Sequence, residues 1–274
     1  MPLALILSSY VAADRIGGGA QQLALAACGI DPILLPTVLL GRSPAKGGRG
    51  QAVEAELLQD LLDGVEAAGV FDTLDLLVTG HFSSPYQVML ACQTIRRIRA
   101  ANPAAIVVVD PVLGDAPKGL YVRPEVAREV SQDLVPLADW ITPNLWELAH
   151  LTGREISDAA EMVGAVRDLG KPALVTSAPA RPGEIGLACC TPEGSTLFAH
   201  ARLQQAPNGT GDLVTAVFAA GLVQGLAGPA AAERAARAVV MALEAEDTVL
   251  GLPIMTLGAR LMRPQADLRI EPLA

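Results

Sequence analysis

The sequence predicts an α/β fold, with a central and mostly parallel sheet between layers of helices, and three observations point to it. Short runs of β-branched and aliphatic residues alternate along the chain with longer stretches of helical period. The runs at residues 3–9, 74–79 and 105–109 are largely apolar, as strands covered on both faces must be. They give way to small or acidic residues, Ser9, Gly80 and Asp110, and ligands of open parallel sheets bind beyond the carboxyl ends of strands.

Taken in order, residues 3–9 read as a strand, and Gly17-Gly18-Gly19 leads into an Ala- and Leu-rich helix over 20–28. The three glycines do not match the GxGxxG of a dinucleotide fingerprint. A second strand at 33–40 runs into GRSPAKGGRG at 41–50, expected to be a mobile surface loop. That loop is either simply solvated or a flap whose Arg42, Lys46 and Arg49 could approach phosphates. A helix over 51–68 precedes the strand at 74–79, and the next helix, 85–101, opens with a proline in its first turn. After the strand at 105–109 and a loop over 115–123, a helix is expected at 124–134 and a short strand at 140–142. Asn144 then starts a helix, 158–169 is a further helix, and 173–176 is a strand ending in Thr176-Ser177. Residues 186–190 and 195–199 read as a hairpin at a sheet edge. The segment 206–225, a long helix over 229–250 and a final helix after Pro253 complete the chain.

At 274 residues, 51% hydrophobic and 18% charged, the chain can bury a large core. Aromatics at 3% leave little base-stacking surface, and a net charge of −9 opposes a phosphate backbone, so no nucleic-acid partner is expected. The first ten residues lack the basic region and cleavage site of a signal peptide, and no apolar run reaches spanning length. A cytoplasmic protein with no membrane partner is therefore the expectation. Cys28, Cys92, Cys189 and Cys190 have no metal-ligand spacing and read as reduced core thiols. His81, His150 and His200 fall in separate elements, and Ser8-Ser9 lacks a nucleophile elbow.

The densest chemical signal is Asn208-Gly209-Thr210-Gly211-Asp212, directly before apolar-periodic helix. Its glycines let successive amides converge at a helix start, where the positive end of the dipole favours an anion such as a phosphoryl group. A carboxylate at Asp212 is repelled by that anion. It belongs there if a substrate hydroxyl must be oriented and deprotonated. Taken alone, the segment is more readily an N-capped helix behind a glycine turn. Asn144 and Glu147, three apart at another helix start, likewise fit a capping box better than they fit a site that organises water around Mg²⁺.

In this order, DPVLG from Asp110, TPNLWEL from Thr142 and GTGD from Gly209 resemble the ribokinase superfamily, and within it the pyridoxal kinases, over nearly the whole chain. The resemblance implies one ribokinase-like three-layer α/β/α domain over 1–274, ATP as donor, Mg²⁺, a monovalent cation such as K⁺, and a homodimer. It implies that Asp212 is the base on the substrate alcohol and that Gly209, Thr210 and Gly211 form the anion hole for the γ-phosphate. Asp110 and Glu147 would serve the metal, with Asn144 ordering its water. Thr176, Ser177 and Thr210 would line the ATP phosphates. Ser9 resembles a serine that bonds the pyridine ring, Tyr121 resembles an aromatic over the site, and Gly80 ends a strand beside the substrate.

Two segments depart from the family pattern. Gly17-Gly18 stands where a glycine followed by asparagine is usual, and Gly41-Arg42-Ser43-Pro44 replaces a Ser-Asn-His-Thr run. Pro44 cannot supply the threonine hydroxyl, which leaves Ser43 as the candidate replacement. The expected reaction is ATP-dependent phosphorylation of the 5′-hydroxymethyl group of pyridoxal, with pyridoxine and pyridoxamine as further substrates. A hydroxymethylpyrimidine kinase of thiamine synthesis and a non-catalytic vitamin-binding relative are the alternatives.

Overall fold

The computed structural model describes residues 1–203, 207–246 and 248–273. Strand β1 (Leu3–Val11), helix α1 (Gly17–Ala27) and β2 (Asp31–Leu40) open the chain, followed by a 3₁₀ turn at Pro44–Lys46 and β3 (Gly50–Ala52). Helices α2 (Ala55–Ala67) and α3 (Val70–Thr73) lead to β4 (Leu76–Thr79), and α4 (Pro85–Ala101) leads to β5 (Ile106–Val109). A small ribbon of β6 (Gly114–Asp115) and β7 (Gly119–Leu120) precedes α5 (Pro124–Glu129), β8 (Trp140–Ile141), α6 (Leu145–Thr152), α7 (Ala159–Leu169) and β9 (Ala173–Ala178). The hairpin of β10 (Glu184–Thr191) and β11 (Gly194–Ala201) follows, then α8 (Thr210–Val223), α9 (Gly228–Glu244), α10 (Ile254–Leu257) and β12 (Arg269–Leu273).

Among the described residues, ten strands form one sheet in the order β12-β11-β10-β9-β8-β5-β4-β1-β2-β3. The six from β9 to β2 run parallel, and the antiparallel β10, β11 and β12 extend one side while β3 closes the other. Side chains alternate across it as the pleat requires. Leu5, Leu7, Leu77, Val107 and Val109 pack with α2 to α7, whereas Ala4, Ile6, Val78 and Val108 pack with α1, α8, α9 and α10. Burial on both faces is why these strands read as continuous apolar runs.

Chain order places the site. From β1 the chain moves outward to β2, and from β4 it moves the other way to β5, so β1 and β4 flank the switch point where such sheets bind ligands. Gly80 sits at the end of β4 against Ser8; a Cβ there would lie 2.3 Å from the Ser8 Oγ.

Most expected elements are present, with corrections at their ends. Helix α1 starts at Gly17 rather than residue 20, because Gly18 lets it lie on the sheet; a Cβ there would stand 2.5 Å from the Leu34 Cδ1. Strand β1 runs two residues past Ser9, where its register with β2 shifts. Residues 51 and 52 are strand, not helix, and α9 stops at Glu244. The opening of the expected segment at Ala206 lies outside the described residues, as does Asp247. The β10–β11 hairpin is not at an edge, because β12 pairs with β11. Strand β12 was not foreseen; its half-buried Arg269, Glu271 and Leu273 alternate with exposed Ile270 and Pro272, and Pro272 suits the edge it occupies.

On one face the core centres on Phe218, fully buried in α8 and packed edge-on against Trp140 at 5.0 Å between ring centroids. Phe218→Ala is expected to destabilise the fold by about 3–5 kcal/mol, read as a lowered urea midpoint at an unchanged slope.

Candidate active site

The site is built where two glycine-led helix starts meet. Helix α8 begins behind Gly209, whose φ of 93° lies in the left-handed region. A Cβ on Gly209 would also lie 2.1 Å from the Arg15 carbonyl oxygen. The amide of Leu213 donates to the Gly209 carbonyl at 3.0 Å as the helix begins, which leaves the amides of Thr210, Gly211 and Asp212 without a helical acceptor behind them. Gly211 is exposed, with open space where its Cβ would be. An anion can approach there.

Asp212, in the first turn of α8, accepts a hydrogen bond on Oδ2 from the amide of Gly17 at 2.8 Å. Gly17 is itself confined, with φ of 62° and the Ser9 Oγ 2.4 Å from where a Cβ would stand. Burial pushes the Asp212 carboxyl up to about 6, and the Gly17 amide pulls the other way. The carboxylate is thus ionised at neutral pH but closer to proton exchange than an ordinary aspartate.

Asp110 lies beyond the end of β5, buried, where its Oδ2 accepts from the Thr215 hydroxyl at 3.1 Å. Thr215 lies 2.8 Å from the Thr142 hydroxyl; since its one proton goes to Asp110, Thr142 is the donor in that pair. Burial, then the charges of Glu147 and Asp212, hold the Asp110 carboxyl well above the usual range.

Asn144 and Glu147 form the capping box that their spacing suggested. The Glu147 amide donates to Asn144 Oδ1 and the Asn144 amide to Glu147 Oε2, both at 2.9 Å. They also do something the spacing does not reveal. Glu147 Oε1 accepts from the Leu113 amide at 2.8 Å, and Asn144 Nδ2 donates to the Gly114 carbonyl at 2.8 Å. The pair therefore fastens the DPVLG loop, in which Val112 holds a φ of 45°. Burial raises the Glu147 carboxyl to about 7 against the pull of three backbone amides.

Among the described residues, no three His, Cys, Asp or Glu side chains converge on a metal-binding position. Both Glu147 oxygens already serve amides, which competes with the direct metal role expected of it. Asp110 remains the candidate oxygen donor, and Glu147 and Asp212 add negative charge beside it. That suits a hard divalent ion that brings phosphate and water ligands with it.

A cleft of about 260 Å³ runs from Thr210 and Gly211 of α8 to Thr176 and Ser177 at the end of β9, walled by Ile185, Leu187 and Val214. These four site candidates are thus together. Ser177 holds a φ of 56°. Ser9 lies against Gly17, and Tyr121, directly after β7, is half exposed, its amide bonded to the Leu113 carbonyl at 2.7 Å. Ser43 is buried, and its hydroxyl accepts from the Ala45 amide at 3.2 Å. The loop that carries it is held by a 3₁₀ turn and by β3, and Lys46 pairs with Asp14 rather than lying free for phosphates. Gly17, Thr142 and Thr215 were not foreseen as site residues. Thr215, a hydroxyl inside the apolar run of α8 and three residues after Asp212, was the available signal.

A family model described as phosphomethylpyrimidine kinase matches residues 79–253. A pyridoxine/pyridoxal/pyridoxamine kinase of Bordetella avium is 35% identical over 245 residues, 86% of this chain and 83% of that one. A pyridoxal kinase of Deinococcus radiodurans is 32% identical, covering 78% of this chain and 76% of its own. Among solved structures, a pyridoxal kinase from Entamoeba histolytica superposes with a TM-score of 0.91 at 25% identity over the whole of both chains. One from Leishmania donovani, in complex with ADP and pyridoxine, gives 0.87 at 22% over 99% of each and speaks for the fold alone. With this fold, these motifs and these relatives, the chain belongs to the pyridoxal kinase family of the ribokinase superfamily.

Proposed function

We propose that the chain transfers the γ-phosphoryl group of ATP to the 5′-hydroxymethyl group of pyridoxal, and of pyridoxine and pyridoxamine, in vitamin B6 salvage. The observation that carries this reading is the α8 start, where three amides with no acceptor among the described residues and the Asp212 carboxylate stand within one turn. An anion cradle and a base so close together suit an alcohol attacking a phosphoryl group. The names of the Bordetella and Deinococcus relatives support the same acceptor.

In this mechanism Asp212 orients the alcohol and takes its proton as the oxygen attacks. The Gly17 amide keeps the carboxylate aimed while the proton moves. The amides of Thr210, Gly211 and Asp212 face the oxygens of the transferring group, and Thr176 and Ser177 line the nucleotide phosphates beside them. Mg²⁺, bound with the nucleotide, would neutralise charge on the phosphates. Asp110 would hold it, and Glu147 would act by keeping the DPVLG loop in shape, with Asn144 beside it. Ser9, Gly80, Ser43 and Tyr121 are the proposed acceptor wall. A single domain over 1–274, a cytoplasmic homodimer and a monovalent cation such as K⁺ complete the reading from the family resemblance. Among the described residues no helix is long and apolar enough to cross a membrane.

A second acceptor, hydroxymethylpyrimidine, is favoured by the description of the matching family model and by the altered Ser43-Pro44 stretch. ADP release measured with both alcohols separates the two.

Asp212→Ala is expected to lower kcat with pyridoxal by at least about 10²-fold while the KM for ATP changes by less than about threefold. Equal turnover in the variant would remove Asp212 as the base. Since the ionised form is the active one, kcat/KM of the native chain should fall about tenfold per pH unit below about 6. The same raised value makes a stability prediction. Above about 6 the fold carries an ionised buried acid, and below the unfolded value, near 4, both states are protonated. Asp212→Asn, which can still accept from Gly17, should therefore melt higher than the native chain at pH 8, with the gain fading as pH falls towards 4.

A further inference from the structure

The segment 41–49 is a strap built to stay in one place. Its backbone closes on itself through Lys46 and Gly48 amides to the Ser43 carbonyl, at 2.9 and 3.0 Å, and through the Gly47 amide to Pro44 at 2.9 Å. Gly47 is left-handed, and a Cβ on Gly48 would lie 1.9 Å from the Arg42 carbonyl oxygen. Every strap residue except Ser43 and Gly48 is exposed, and Ser43 is 3% exposed. Ser43 is bonded to Asp14. The Asp14 Oδ2 accepts from the Ser43 amide at 2.7 Å, and its Oδ1 pairs with the Lys46 ammonium. The Asp14 side chain is only 5% exposed, whereas that of Lys46 is 53% exposed.

Asp14 belongs to the short link between β1 and α1, and that link touches both halves of the site. Its Ala12 and Ala13 amides donate to the Leu40 and Gly41 carbonyls, which carries the β1–β2 pairing past the strand ends to the root of the strap. Its Arg15 carbonyl crowds Gly209, and the amide of Gly17, the first residue of α1, holds Asp212. The strap and the α8 start are thus fixed to one run of six residues, Ala12 to Gly17.

We propose that Asp14 is a positioning residue that clasps the strap beside the α8 start and thereby sets the affinity for the acceptor alcohol. This rests on the kinase reading above. Removing the carboxylate leaves a Ser43 amide buried without an acceptor, and removing the ammonium leaves a buried charge without its partner. Either change frees the strap without touching the Thr210 to Asp212 cradle.

The test uses the full chain and two readouts. Trypsin can cut the strap after Arg42 and Arg49, and these cuts report its opening. Asp14→Ala is expected to be cut there at least about fivefold faster than the native chain, Lys46→Gln by a smaller factor, and Asp14→Asn between the native chain and Asp14→Ala, because its amide oxygen still accepts from Ser43. In turnover, Asp14→Ala should raise the KM for pyridoxal about tenfold and leave the KM for ATP within about twofold. Cleavage and pyridoxal KM at native values in Asp14→Ala would overturn the proposal, as would equal rises in both KM values. If Asp14→Ala does not fold, Lys46→Gln decides on the same two criteria. If the native chain does not phosphorylate pyridoxal, the kinase reading falls, and the rate of strap cleavage alone upholds or overturns the clasp.

Discussion

One hydrogen bond, from the Gly17 amide to the Asp212 carboxylate, joins residues 195 positions apart and fixes how the two ends of the fold meet. It needs two helix starts to approach each other more closely than side chains allow. Gly17 and Gly209 both hold positive φ, and both lie where a Cβ would collide, with Ser9 in one case and Arg15 in the other. The glycines of the first loop therefore do not form a dinucleotide fingerprint. They let the start of α1 lie against Ser9 and Leu34, while Gly209 gives the start of α8 room beside Arg15.

Around that bond the fold gathers acids against their electrostatic preference. Asp110, Glu147 and Asp212 are all raised by burial, and Asp110 also feels the charge of the other two. Each is held by donors from elsewhere in the chain: Thr215 for Asp110, the Leu113 and Asn144 amides for Glu147, Gly17 for Asp212. Buried charge of one sign is a poor way to stabilise a domain. It is a reasonable way to prepare a site for a nucleotide that arrives with cations.

Much of the architecture was legible in the chain because the sheet is covered on both sides. Apolar runs at β1, β4 and β5, and helical periods between them, mark their elements without help from their neighbours. Elements that depend on a partner were not legible. Strand β12 has no apolar run, and β3 is three exposed residues that become a strand only beside β2. The capping box of Asn144 and Glu147 was readable from a three-residue spacing, but its grip on the DPVLG loop, 34 residues away in sequence, was not.

By itself, the sequence determined which stretches are strand or helix, where glycines break or start them, and that an acid follows a glycine pair at a helix start. Those are local matters, decided by period, propensity and backbone freedom within a few residues. Only the tertiary structure decided which amide holds Asp212, which hydroxyl backs Asp110, and that Asp14 reaches Ser43 and Lys46 in a segment that reads as a free loop. A hydrophobic period tells a segment which face to bury but not which distant donor will meet it. That choice belongs to the order of strands in the sheet, which brings the ends of β1, β4 and β5 to one edge and sets two helix starts over it.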